Sequence, residues 1–219
     1  MKITIWSDFV CPFCFIGESH LNKALEKFPH AEEVEIEYKS FLLMPDAKYV
    51  PGQSYAQTFS NMKGVPIEQA KTMLQQVTDM AKNSGVEINY DKAKLTSTYD
   101  AHRVFQYAKV QGKGNEFFSR FYAAHFNEGE ILNDTEAIVH LAEEIGLDGA
   151  EVRKILESKD NTDTVTQDIN EARSVGVQGV PFFVFDNKYA VSGAQPVEAF
   201  NQVLDKVWEE EYSNKSTYL

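Results

Sequence analysis

Two cysteines are the only ones in a chain of 219 residues, and they stand three positions apart, at Cys11 and Cys14. The residues flanking the pair restrict the fold. Ile3-Thr4-Ile5-Trp6 alternates as a strand does, with Ile3, Ile5 and Ser7 on one side and Thr4, Trp6 and Asp8 on the other. Beyond the pair, Phe15, Ile16, Leu21, Ala24, Leu25 and Phe28 recur at helical spacing until Pro29 stops the run. Pro12 suits the first turn of that helix, where its missing N–H has no intrahelical partner to lose. Cys11 is therefore expected at the N-terminus of a helix that emerges directly from a strand. Residues 34–39 alternate again, and strand–helix–strand implies parallel strands joined by a right-handed crossover.

A disulfide across two intervening residues closes almost no loop and would constrain the unfolded chain little, so stapling is a poor reason for the pair. Zinc needs four ligands, and there is no second pair of cysteines to join this one; only His20 or His30 could complete a site. Redox chemistry uses both residues and their spacing. A helix N-terminus presents partial positive charge and unpaired N–H groups to a thiolate. Cys11 in that position can attack a disulfide, and Cys14, one turn behind it, can resolve the mixed disulfide. A lone Cys11 would trap its partner covalently.

After Phe41, Met44-Pro45-Asp46 and Val50-Pro51-Gly52 mark an irregular connection. From there to about Gly176 the pattern is nearly all helical. Pro66 opens a helix with Ala70, Met73, Leu74, Val77, Met80 and Ala81 on one face. Others carry Ala101, Val104, Phe105 and Ala108, then the aromatic set Phe117, Phe118, Phe121 and Tyr122, which reads as core. Asp134 looks like the N-cap of the next. A short helix comes after it over about 149–158, and a last one carries Val165, Ile169, Ala172 and Val175. Phe182-Phe183-Val184-Phe185, a turn at 186–188 and Tyr189-Ala190-Val191-Ser192 form a hairpin, after which Pro196 opens the final helix. The order predicts an α/β chain with a discontinuous unit, 1–50 with 160–219, interrupted by a helical insertion at 51–159.

The composition narrows the partners. With 33 acidic against 21 basic residues the net charge is -12, which disfavours nucleic acid and anionic membranes as partners. No apolar run approaches a membrane span, and no signal core precedes the first strand. A cytoplasmic location is the expectation.

The stretch Trp6-Ser7-Asp8-Phe9-Val10-Cys11-Pro12-Phe13-Cys14-Phe15-Ile16-Gly17 resembles the opening of the DsbA-like thioredoxin-fold family, in particular its FrnE-type branch. That branch is related to 2-hydroxychromene-2-carboxylate isomerases and kappa-class glutathione transferases. Gly176-Val177-Gln178-Gly179-Val180-Pro181-Phe182-Phe183-Val184 resembles the family's cis-proline segment. Val191-Ser192-Gly193-Ala194-Gln195-Pro196 resembles the stretch that comes next in that family. Thr98-Tyr99-Asp100-Ala101-His102-Arg103 is a weaker match. The likeness covers essentially the whole chain.

The resemblance implies a thioredoxin-like fold with a large all-helical insertion, and a thiol–disulfide oxidoreductase with Cys11 as nucleophile and Cys14 as resolving thiol. It places Pro12, Phe13, Val180 and Pro181 at the substrate, with Val180 offering its backbone to an extended chain and Pro181, if cis, facing the cysteines. The plain alternative for Pro181 is a trans residue that starts a strand. His102 or Arg103 would line a groove above Cys11, unless His102 is simply a satisfied buried histidine. His20, His30, His125 and His140 share no metal-like spacing. No tightly bound cofactor and no metal are expected; glutathione is a candidate redox partner, and thiols or disulfides of proteins or small molecules are the substrates. Strong oxidants of the family carry histidine between their cysteines; Pro12-Phe13 here implies a milder couple. Asp8 and Lys39 are the nearest charged residues that could tune the thiols. Two other functions compete: a glutathione-dependent isomerase or transferase, and a redox-sensing adaptor.

Overall fold

A computed structural model describes residues 1–213. The chain opens with β1 (Lys2–Ser7), α1 (Pro12–Leu25) and β2 (Glu35–Ser40). Strands β1 and β2 run parallel, with Ile3 beside Ile36 and Trp6 beside Lys39. A helical stretch comes next: α2 (Tyr55–Lys63), α3 (Ile67–Asn83), α4 (Tyr99–Val110), α5 (Gly114–Ala123), α6 (Thr135–Glu144), α7 (Gly149–Glu157) and α8 (Thr162–Ser174). The chain then returns to the sheet through β3 (Phe182–Phe185) and β4 (Tyr189–Ser192) and ends on α9 (Val197–Glu211). The sheet order is β2-β1-β3-β4, and β3 is antiparallel to both of its neighbours. This is the thioredoxin fold with a helical insertion. Asp186 and Asn187 both take positive φ, 46° and 57°, as a tight hairpin turn between twisted strands requires.

Strand β1 lies inside the sheet and is covered on both faces. Ile3 and Ile5 face a core shared with α1 and α9, while Trp6 packs on the other side with Ala172 of α8 and Val177. Its alternation therefore separates two buried faces and not a buried from an exposed one; Thr4 and Ser7 are buried as well. One contiguous core runs from the sheet into α4–α7. Phe9 is its hub, with ring centroids 4.5 Å from Phe118, 5.5 Å from Phe121 and 5.6 Å from Phe117. The aromatic set of α5 is fully buried, as its spacing predicts.

Three features depart from the sequence pattern. Helix α2 begins on a Ser54 cap three residues beyond Pro51, where nine residues with only Tyr55 and Ser60 buried make too weak a periodicity to read. Met80 and Val175, placed by spacing on buried faces, are 45% and 50% exposed; Val175 lies just past the end of α8, and at the end of α3 it is Ala81, not Met80, that faces the core. Asp168 is buried in α8 among apolar neighbours. Its carboxylate accepts the Ser40 N–H at 2.8 Å and the Gln106 amide at 2.7 Å, and its carbonyl accepts the Trp6 indole N–H at 3.0 Å. One residue thus ties α8 to β2, α4 and β1.

Asp168→Ala would strand two buried donors whose bonds run to a charge. It is expected to cost about 2–3 kcal/mol, read as a lower urea midpoint at unchanged m-value.

Candidate active site

Strand β1 ends at Ser7, and the chain turns once before α1. The Cys11 N–H donates to the Asp8 carbonyl at 3.1 Å and closes that turn. Cys11 is the N-cap of α1, with extended backbone and no side-chain capping bond, and Pro12 sits in the first turn. The Cys14 and Phe15 N–H groups both donate to the Cys11 carbonyl, at 3.1 and 3.4 Å. The helix therefore begins at the cysteine pair itself, with Cys11 at the end that favours negative charge.

Pro181 comes from the other end of the sequence. The Val180–Pro181 peptide is cis, and the Cys11 thiol donates to the Val180 carbonyl at 3.5 Å. Gly17 lets this segment come close to α1. A Cβ at residue 17 would lie 3.1 Å from Pro181 Cγ and 3.2 Å from Phe183 Cζ, tighter than side chains normally allow. Phe13 is 39% exposed beside the pair, and Pro12 is half-buried. Cys11, Pro12, Phe13, Cys14, Val180 and Pro181 thus share one site.

The two sulfurs differ in their surroundings. Both are free thiols with little exposed surface. Burial, reinforced by the adjacent Cys11, pushes the Cys14 thiol well above its ordinary range; the Ser7 hydroxyl and the Asp8 backbone oppose this only in part. Cys14 is accordingly a protonated thiol at neutral pH, set behind the residue that occupies the helix end.

Asp8 is fully buried, and its carboxylate turns away from the sulfurs. It accepts from the Leu43 N–H at 2.7 Å, the Thr98 hydroxyl at 2.7 Å and His102 Nε2 at 3.2 Å. The expectation that His102 or Arg103 lines a groove is corrected here. His102 has no exposed surface and stacks on Phe9 at 4.5 Å, so it meets the site only through Asp8. Arg103 is buried too and caps α7 and its following turn, donating to the carbonyls of Ile155, Ser158 and Asp160. Both residues serve the junction between the helices and the strand end. Lys39 pairs with Glu171 and lies over the Trp6 ring, away from the thiols.

Sequence reasoning missed a cleft within the helical stretch. A cleft of about 910 Å³ between α2, α3 and residues 85–91 is lined by Tyr55, Leu74, Lys71, Lys82 and Tyr90, among others. The Tyr55 and Tyr90 rings meet at 4.7 Å. Burial raises both phenols; the Cys11 sulfur adds to this at Tyr55, and at Tyr90 the Tyr55 phenol adds more than Cys11 does. Behind Tyr55 sits His125, in a π-helical turn (Ala124–Glu128) that continues α5. It is fully buried and neither ring nitrogen has a hydrogen-bond partner. Burial, weakly opposed by Asp8, lowers it to about 4. No periodicity or motif in the sequence brings these residues together. Among the described residues, no group of three or more His, Cys, Asp or Glu side chains is placed to hold a metal ion, and no helix is long and apolar enough to cross a membrane.

The neutral ring of His125 makes a testable link to pH. The unfolded chain takes up a proton near 6.5 that the folded chain refuses until about 4, so stability is lost as pH falls through this window. Relative to His125→Phe, the wild-type protein is expected to lose about 3 kcal/mol between pH 7 and pH 4, measured by urea unfolding.

Comparison with known proteins matches this geometry. Residues 2–205 match the DSBA-like thioredoxin domain. The crystal structure of the probable DsbA oxidoreductase SCO1869 from Streptomyces coelicolor superposes with a TM-score of 0.90 at 37% identity, covering 96% of this chain and 91% of that one. The uncharacterized protein YwbO of Bacillus subtilis is 29% identical over 212 residues, 93% of this chain and 96% of its own. The cytosolic disulfide reductase DsbM from Pseudomonas aeruginosa, solved with GSH, shares the fold at a TM-score of 0.67 and 16% identity, over 95% of this chain and 100% of that one. With the family match spanning the sheet, the cysteine helix and the Val180–Pro181 segment, this chain belongs to the DSBA-like thioredoxin domain family.

Proposed function

We propose that this chain is a thiol–disulfide oxidoreductase working through a Cys11/Cys14 dithiol couple, with Cys11 attacking and Cys14 resolving. One observation carries the reading: Cys11 caps the N-terminus of α1 against the Val180 carbonyl, while Cys14 lies one turn behind it as a buried, protonated thiol. Burial disfavours the thiolate at the second position, and the first stands at the helix end beside Val180, which orders the two steps.

The Cys11 thiolate attacks a disulfide R–S–S–R′, forming Cys11–S–S–R and releasing R′–S⁻. The Cys14 thiol then loses its proton and its sulfur attacks Cys11; the Cys11–Cys14 bond forms, the bond from Cys11 to the substrate sulfur breaks, and the substrate sulfur departs with that proton as R–SH, so the substrate is reduced by two electrons and the protein is oxidised. The substrate's backbone pairs with Val180. Pro12 and Phe13 form the exposed lip, and the cleft beside Tyr55 and Tyr90 receives side groups. In this scheme residues 1–50 and 160–219 carry the chemistry, and the helices of 51–159 shape the cleft.

Glutathione is the proposed small-molecule redox partner, as it accompanies the reductase of the same fold. Cytoplasmic thiols are the proposed setting. The Pro12-Phe13 dipeptide places no cation between the sulfurs, which favours a couple milder than the strongest oxidants.

Cys14→Ser is expected to accumulate mixed disulfides through Cys11 on non-reducing gels, and Cys11→Ser to accumulate none. Unchanged turnover in Cys14→Ser with no trapped partner would overturn the dithiol scheme in favour of a glutathione-dependent isomerase or transferase. Slow turnover with every disulfide, beside a redox-linked change in partner binding, would point to a sensor.

A further inference from the structure

The cleft between α2, α3 and residues 85–91 holds neither cysteine, nor Phe13, nor Pro181 in its lining. Lys71, Leu74, Thr78 and Lys82 recur three or four positions apart, so they share the face of α3 that forms one wall. Gly85, at φ 80°, turns the chain back, and residues 86–91 form the facing wall. Both walls are fixed from behind. The Ser84 carbonyl, at the end of α3, accepts from Ser19 and Lys23 of α1 at 2.7 and 2.6 Å. The Asn89 N–H donates to the Phe126 carbonyl at 2.9 Å. A cleft held in this way loses little freedom when it is filled.

The second wall carries backbone that the fold does not complete. Among the described residues, the N–H groups of Glu87 and Ile88 and the carbonyls of Val86 and Ile88 make no hydrogen bond. Ile88 is only 4% exposed, so its unbonded N–H and carbonyl cost free energy until something in the cleft satisfies them. An added extended chain meets that demand, because its main chain offers donors and acceptors in alternation. The charges lining the cleft stand apart from one another. Tyr55 and Tyr90 meet beside Leu74 in one small core, and Asp91 follows Tyr90 at that end. Lys82 comes eight residues after Leu74, about 12 Å further along α3. Lys71 is held by Glu68 at 2.8 Å, whereas Lys82, Glu87 and Asp91 form no ion pair among the described residues.

We infer that this cleft binds a short extended peptide with free ends, at a site separate from the cysteine pair. A span of about 12 Å takes about four residues at roughly 3.3 Å each. The peptide carboxylate meets the Lys82 ammonium, and the peptide ammonium meets the Asp91 carboxylate. Its main chain pairs with residues 86–88, and an apolar first side chain lies against Tyr55, Tyr90 and Leu74. Glu87, exposed on the wall between the two ends, disfavours an acidic side chain at the inner positions. A purely apolar ligand would leave the Ile88 backbone unbonded, and a simple anion would face Glu87 and Asp91. No step of this binding needs a thiol, so the inference stands apart from the dithiol reading.

Calorimetric titration of the full chain with the peptide Leu-Ala-Ala-Ala is expected to show one site with a dissociation constant below about 1 mM. The C-terminal amide and the N-acetyl form are each expected to bind at least about fivefold more weakly, as each lacks one charged contact. The amide is the more telling of the two. It is one charge more positive than the parent, so diffuse attraction to a chain of net charge -12 would tighten its binding, whereas loss of the Lys82 contact weakens it. Lys82→Gln is expected to weaken the free acid at least about fivefold and to leave the amide within about twofold; Asp91→Asn is expected to behave likewise toward the parent and the N-acetyl form. Both side chains are exposed, so neither change disturbs the core. An amide that binds as tightly as the free acid, a Lys82→Gln protein that binds as wild type does, or no binding at all overturns the inference. Cys11→Ser is expected to bind the peptide unchanged even though it cannot form mixed disulfides. Loss of binding in Cys11→Ser would place the peptide at the cysteines and overturn the separate site, leaving the dithiol reading intact.

Discussion

The site hangs on one buried carboxylate. Asp8 stands where β1 ends, and it collects donors from the segment after β2, from the residue before α4 and from α4 itself, while its carbonyl takes the Cys11 N–H. An uncompensated charge at full burial would be prohibitive, so the three donors are a condition of the fold. By holding Thr98 and His102, Asp8 brings the helical stretch against the strand end. By closing the turn that precedes α1, it sets where the helix begins and hence where Cys11 sits.

The same logic organises the two flanks of α1. Toward Pro181, contact depends on the missing side chain of Gly17, and the outcome is an exposed lip of Phe13 with Cys11 under the Val180 carbonyl. Toward α5, contact is made by Phe15 stacked on Tyr122, whose hydroxyl meets that of Ser7. One helix thus presents its N-terminus to the substrate side and encloses its second cysteine on the other. The difference in burial partners between the two sulfurs separates an attacking from a resolving role, although both belong to the same turn.

The strands and the helical stretch are not energetically separate bodies. Phe9 comes from the strand end and yet packs chiefly against α5, and Asp168 of α8 bonds across to β2, α4 and β1. Burial in a shared core makes distortion of the helices felt at the cysteines. The cleft beside Tyr55 and Tyr90 lies within the helical stretch, between α2, α3 and residues 85–91.

Much was legible in the order of residues. The strand, the proline-started helix with Cys11 at its head, the parallel return strand and the hairpin all stem from local periodicity and turn chemistry, which depend on neighbours a few positions away. The juxtaposition of Val180–Pro181 with the cysteines was legible by resemblance alone. Where polar side chains meet was not legible. The sequence leaves His102 open between a groove residue and a buried histidine until burial shows it bonded to Asp8, and it leaves Lys39 a candidate thiol partner until Glu171 is seen to hold it. His125, Tyr55 and Tyr90 carry no sequence signal, because desolvation and hydrogen bonding depend on which elements pack together across tens of residues. Local chain chemistry was enough to put Cys11 at the head of a helix with Cys14 one turn behind. Enclosing Cys14 took the packing of β1, β2 and α5 around that helix.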